Sequence, residues 1–141
     1  MTLRKETAEL TRGAVARLAR RLRVERPADS LSSNKVGVLS HLHRHGPSSP
    51  GEIAAAEHQQ PQSLTRVFAD LEAEGLVVRR GSSRDRRESV LDLTESGRAA
   101  LLADMAVRDR WLASAIAHLT EPEAQMLRIG ASLMEKLTSL P

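Results

Sequence analysis

The chain has 141 residues, 40% of them hydrophobic and 28% charged, with 21 Lys plus Arg against 18 Asp plus Glu and no cysteine. This is the length of one domain, long enough to bury a core without staples and too apolar to be disordered. The missing thiols exclude disulfides, cysteine-ligated zinc, a cysteine nucleophile and thiol redox sensing, and one Phe and one Trp are too few for the base-stacking platforms of single-strand binding.

From Leu3 to Arg23, the positions Leu10, Ala14, Leu18 and Leu22 recur every four residues, which predicts a helix with one apolar stripe and arginine elsewhere. Pro27 ends it. Residues 1–30 carry eight Lys and Arg against four carboxylates, a basic helix whose arginine stems can cover apolar surface while their heads stay solvated. No apolar run reaches the ~18 residues of a membrane span and the N-terminus has no apolar leader segment, so a cytoplasmic location is expected.

A second helix is expected to start at Ser32 or Ser33, to bury Val38, Leu39 and Leu42, and to stop at Gly46-Pro47. His41 and His45 share one of its faces at i and i+4, as two zinc ligands would, while His43 points away. No third ligand is placed by the sequence, and histidine near a helix C-terminus is favoured by the dipole in any case. No metal and no cofactor are assigned.

Ser49-Pro50-Gly51-Glu52 has the pattern of a capping box with proline at the first helical position, opening a short helix through Ile53 and Ala56. Gln59-Gln60-Pro61 breaks it, and Pro61 begins the next helix, which buries Leu64, Phe68 and Leu71 and ends at Gly75. Its outer face then carries Gln62, Ser63, Thr65 and Arg66, with no acidic residue between His58 and Ala69. Residues 76–80 and 88–93 follow as two strands of a hairpin; in the second, Ser89, Leu91 and Leu93 alternate with Glu88, Val90 and Asp92. Residues 79–88 hold five arginines against two carboxylates, so the hairpin tip is basic. Thr94 caps a long helix with Leu101, Met105, Leu112, Ile116 and Leu119 on one face. Thr120-Glu121-Pro122-Glu123 is a second capping box, opening a last helix that carries Met126, Ile129, Leu133, Leu137 and Leu140.

A short helix, a tight turn, a second helix and a basic hairpin make a winged helix-turn-helix, whose physics suits double-stranded DNA. The second helix presents Gln62, Ser63, Thr65 and Arg66 to the major groove, where Gln pairs bidentately with adenine and Arg with guanine. In an extended strand Asp85 and Arg87 project to the same side, so the carboxylate can hold the guanidinium ready for a narrow minor groove. Arg84 and Arg86 then face phosphate.

These residues resemble the MarR-type (multiple antibiotic resistance regulator) family of bacterial transcription factors. The likeness rests on Ser63-Leu64-Thr65-Arg66, on the run from Asp70 to Val77 leading to Arg79, and above all on Asp85-Arg86-Arg87 followed by Leu91-Asp92-Leu93-Thr94-Glu95-Ser96-Gly97. It implies a mostly α (α+β) fold, with a winged helix-turn-helix DNA-binding region over residues 31–97 and a helical dimerisation region over residues 1–30 and 98–141. It further implies a homodimer that reads a palindromic operator in double-stranded DNA as a repressor, and release by a small-molecule effector. Phenolic effectors favour aromatic pockets, and only Phe68 and Trp111 are available; His41, His45 and Trp111 are the candidate effector contacts. An enzyme is not expected, since the sequence has no G-x-S-x-G, P-loop, G-x-G-x-x-G or H-E-x-x-H. The alternatives are a helical protein-interaction module and a metal-responsive regulator using His41 and His45.

Overall fold

The computed structural model describes residues 2–26, 30–81 and 89–141. Its elements run α1 (Leu3–Val24), α2 (Ser33–His45), α3 (Pro50–Ala56), α4 (Pro61–Ala73), β1 (Val77–Gly81), β2 (Ser89–Leu93), α5 (Glu95–Ile116) and α6 (Glu121–Thr138). None of the described helices is long and apolar enough to cross a membrane.

Local chemistry sets the helix ends. The hydroxyls of Thr2, Ser32, Ser49 and Thr120 accept from the backbone N–H three residues on, satisfying donors that have no partner inside the helix. Both halves of a capping box close at Thr120 and Glu123; at Ser49 the structure closes only the forward half, to Glu52 N–H. At the far ends, Gly46 and Gly75 take φ of 77° and 74°, a region glycine enters without a Cβ penalty. Gly75 N–H donates to Glu72 O and Leu76 N–H to Leu71 O, the paired bonds of a Schellman turn.

The chain divides into two compact units, one of Arg26–Ala106 and the other of Met1–Glu25 with Val107–Pro141. The first has a continuous apolar core of Val38, Leu39 and Leu42 from α2, Ile53 and Ala54 from α3, Leu64, Phe68 and Leu71 from α4, Val77, Leu91 and Leu101. α3 runs through Ala56 as expected and buries Ile53 and Ala54. The strands pair antiparallel with Val77 opposite Leu93 and Arg79 opposite Leu91.

Two hydrogen-bonded clasps hold this hairpin to the helices. Ser48, in the turn after α2, exchanges both backbone bonds with Leu91 (3.0 and 2.8 Å). Thr94, between β2 and α5, donates its hydroxyl to Gly75 O (2.7 Å), accepts at its own Oγ1 from Gly97 N–H (2.9 Å), and gives its own N–H to Leu76 O. The second clasp explains the glycine: a Cβ at Gly97 would lie 2.0 Å from the Leu76 carbonyl oxygen. The sequence reading passes over Asp104, which is buried on the same face of α5 and accepts from Leu31 N–H (3.2 Å), tying the segment before α2 to α5.

The second unit is built differently. α1 and α6 contain no buried residue. Inside it, Leu18 and Leu22 of α1, Leu112 and Ile116 of α5, and Leu127 and Met134 of α6 line a groove of about 510 Å³. The expected stripe of Met126, Ile129, Leu133 and Leu137 is more than half exposed at every position. Leu119 is not on α5, which stops at Ile116; it lies in the turn before Thr120, and Leu140 lies beyond the end of α6.

Gly97→Ala is expected to destabilise the protein by about 1–3 kcal/mol through overpacking against fixed backbone, read as a lower denaturation midpoint at unchanged slope. A midpoint that does not move would refute the clasp at Thr94 and Gly97.

Candidate nucleic-acid interface

α4 is held from one side only. Leu64, Phe68 and Leu71 are buried in the core, while Gln62, Ser63, Thr65 and Arg66 are exposed, which is the division expected of a helix that offers one face to a partner. Pro61 at the first helical position costs no hydrogen bond there, and no acidic residue stands in the first turn, so the exposed backbone N–H groups and the dipole favour an anion. Arg66 has no ion-pair partner among the described residues. Thr65 differs from the expectation: its hydroxyl donates back to Pro61 O (3.2 Å).

The turn before α4 is set by backbone bonds. His58 takes φ of 53°; its N–H donates to Ala55 O, and Gln59 N–H to Ala54 O. The Gln59 side-chain amide donates to Asn34 Oδ1 (3.1 Å). That contact fixes the turn to the start of α2, so the orientation of α4 is referred to a third helix. Sequence reading missed it, because two polar amides 25 residues apart carry no local signal.

On the hairpin side, Arg79 forks onto Glu72 (3.3 and 3.4 Å) and reaches Ser89 Oγ (2.9 Å), and Arg80 pairs with Asp92 (3.5 Å). Two of the five arginines counted in the basic segment are therefore spent on joining α4, β1 and β2. Arg84, Asp85, Arg86 and Arg87 lie outside the described residues. At the other edge of α4, Lys35 pairs with Glu74.

The effector candidates have structural partners. Trp111 packs beneath the Arg21 guanidinium, 4.3 Å from ring centre to Cζ, a cation–π contact. His41 is 8% exposed and lies within hydrogen-bond distance of Ser48 Oγ (3.1 Å), with the His45 ring 4.7 Å away. Among the described residues no three His, Cys, Asp or Glu side chains come together as a metal site.

With this geometry, the comparisons with known proteins agree. The sequence profile of the MarR family matches residues 29–88. An HTH-type transcriptional regulator of Mycobacterium bovis is 36% identical over 121 residues, covering 86% of this chain and 85% of its own.

The chain belongs to the MarR family of transcriptional regulators.

The HTH-type transcriptional repressor MdtR of Bacillus subtilis is 32% identical over 99 residues, covering 70% of this chain and 64% of its own. The crystal structure of a transcriptional regulator from Pseudomonas aeruginosa superposes with a TM-score of 0.80 at 32% identity, over the whole of both chains. The winged-helix fold of the family is therefore the fold of this chain, and α3, α4 and the β1–β2 hairpin are its helix-turn-helix and wing.

The two faces of α4 are expected to separate by mutation. Phe68→Ala costs about 3–5 kcal/mol of stability, whereas Gln62→Ala and Arg66→Ala stay within about 0.5 kcal/mol of the parent, all read by chemical denaturation. A large loss at Arg66 would assign that side chain to the fold instead of to a partner.

Proposed function

We propose that the protein is a homodimeric, sequence-specific double-stranded DNA-binding repressor, with α4 read into the major groove and the hairpin tip reaching the adjacent minor groove. The observation that carries the reading is the outer face of α4: Gln62, Ser63 and Arg66 exposed, with the cation free of carboxylates among the described residues, on a helix whose opposite face is locked in the core. Gln and Arg are the side chains that read adenine and guanine edges bidentately. Thr65 holds a backbone bond with its hydroxyl and is left to reach phosphate by rotating. Arg84, Asp85, Arg86 and Arg87 are assigned to the wing tip from the sequence pattern, Arg87 toward the minor groove and Arg84 and Arg86 toward phosphate.

The dimer is supported by the second unit. Two helices of 22 and 18 residues with no buried side chain, and an α6 stripe of Met126, Ile129, Leu133 and Leu137 open to solvent, leave more contiguous apolar surface than a soluble monomer keeps. A second copy covers it at no cost in new sequence, and the resulting two-fold axis calls for a palindromic operator. The region of residues 1–30 and 98–141 is accordingly assigned to dimerisation and residues 31–97 to DNA binding. The name of the MdtR relative supports repression as the sign of the effect.

Arg66→Ala is expected to weaken operator binding by about 1–3 kcal/mol and to relax preference at one base pair of each half-site. Uniform weakening across all sequences would move Arg66 from base to phosphate. Leu133→Glu is expected to convert the dimer to monomer by sedimentation and to weaken operator binding with it; a parent protein that sediments as a monomer at micromolar concentration contradicts the dimer.

A further inference from the structure

His41 occupies a place that DNA reading does not use. It sits in α2 beside the core residues Val38, Leu39 and Leu42 and is itself buried. Its Nε2 is 3.1 Å from Ser48 Oγ, and the Ser48 hydroxyl proton goes to Gly46 O (3.0 Å). A hydroxyl has one proton to give. With that proton on Gly46 O, the bond to His41 is donated by the imidazole, the neutral ring carries its proton on Nε2, and Nδ1 is left to take a second one. Ser48 is in turn the residue that exchanges both backbone bonds with Leu91 of β2. One buried imidazole thus supports the turn that clasps the wing.

We infer that His41 is the trigger of an acid-sensitive latch: protonated, the ring leaves the apolar core for water, Ser48 loses its donor, and the bridge from the 46–48 turn to Leu91 loosens the wing hairpin. Burial opposes a charged ring in this place, and the charges around it are of both signs. His45 and Arg44 on its own helix repel an imidazolium, Glu57 and Glu52 toward α3 attract one, and β2 meets this region through the Ser48–Leu91 backbone bridge. Burial first, and His45 second, hold the His41 imidazole below the ordinary histidine range. The sign follows. In the window between the folded and the ordinary value the unfolded chain binds a proton that the folded one does not, so stability is complete above that window and falls as the pH drops through it. His41 is 8% exposed and lies one helical turn from the end of α2, whose dipole favours positive charge there.

The latch is tested on the free full-length protein by amide hydrogen exchange. On going from about pH 7.5 to about pH 5.5, the Ser48 and Leu91 amides are expected to lose protection by about fivefold or more after correction for intrinsic rates, while Phe68 and Leu71 in α4 keep theirs. His41→Gln retains an amide donor near Nε2 and cannot titrate, so its Ser48 and Leu91 protection stays flat over the same range. Constant protection in the parent while the His41 ring titrates, or the same loss in His41→Gln, overturns the proposal. If His41→Gln does not fold, His45→Gln serves: removing a like charge moves the loss to higher pH, and an unmoved onset counts against the latch. The effect on DNA rests on the reading of the wing given above. Operator affinity is expected to fall about fivefold or more on acidification, opposite to the gain that protonating exposed histidines beside a polyanion would give. Absence of operator binding at both pH values would fault the DNA reading, while the exchange data still decide the latch.

Discussion

A two-stranded hairpin does not hold itself together in water, and the winged unit depends on how that limit is met. Here β1 and β2 contribute one buried side chain each, Val77 and Leu91, to a core that is otherwise helical. Further support comes from two clasps, Ser48 on Leu91 and Thr94 with Gly97 on the α4–β1 junction, and from Arg79 on Glu72 and Arg80 on Asp92. Because the clasps run to the ends of α2 and α4, the hairpin and the exposed face of α4 share one frame. A reader of DNA needs that, since base contacts lose their worth when the elements that make them shift by about an ångström.

The second unit obeys a different economy. The winged unit buries its apolar residues within one chain; α1 and α6 bury none. α5 serves both, giving Gly97, Leu101 and Asp104 to the first and Leu112 and Ile116 to the groove of the second. A helix with two obligations cannot carry a single uninterrupted stripe, and Asp104 on its buried face marks the break. Burial of the outer α6 stripe, at roughly 25 cal/mol per Å² of apolar surface, is the driving force left for a partner copy.

Much of the fold was legible because its signals are local. Caps at Ser32, Ser49, Thr94 and Thr120 and stops at Gly46 and Gly75 each follow from neighbours within a few residues and stand where expected, whereas along β2 only Leu91 is buried and burial does not alternate around it. The face of α4 was legible for the same reason, since Leu64, Phe68 and Leu71 at helical spacing leave Gln62, Ser63, Thr65 and Arg66 outside. What escaped is non-local. His41 as a support for Ser48, Ser48 as a partner of Leu91, Gln59 on Asn34 and Arg79 on Glu72 join residues that no periodicity connects. The apolar period that puts Leu119 on α5 continues past Ile116, although the capping box at Thr120 already requires a break before it. The wing-tip residues Arg84 to Arg87 fall outside the described residues.

The central claim is that the exposed face of α4 and the wing read a DNA sequence. Fluorescence anisotropy of the full-length protein on a duplex of its own upstream intergenic region, titrated with salt against a scrambled duplex, tests it most directly. The account predicts that the native duplex binds more tightly by about 10³-fold or more, with log K falling steeply and linearly against log salt. Equal binding of the two duplexes at every salt concentration would contradict it.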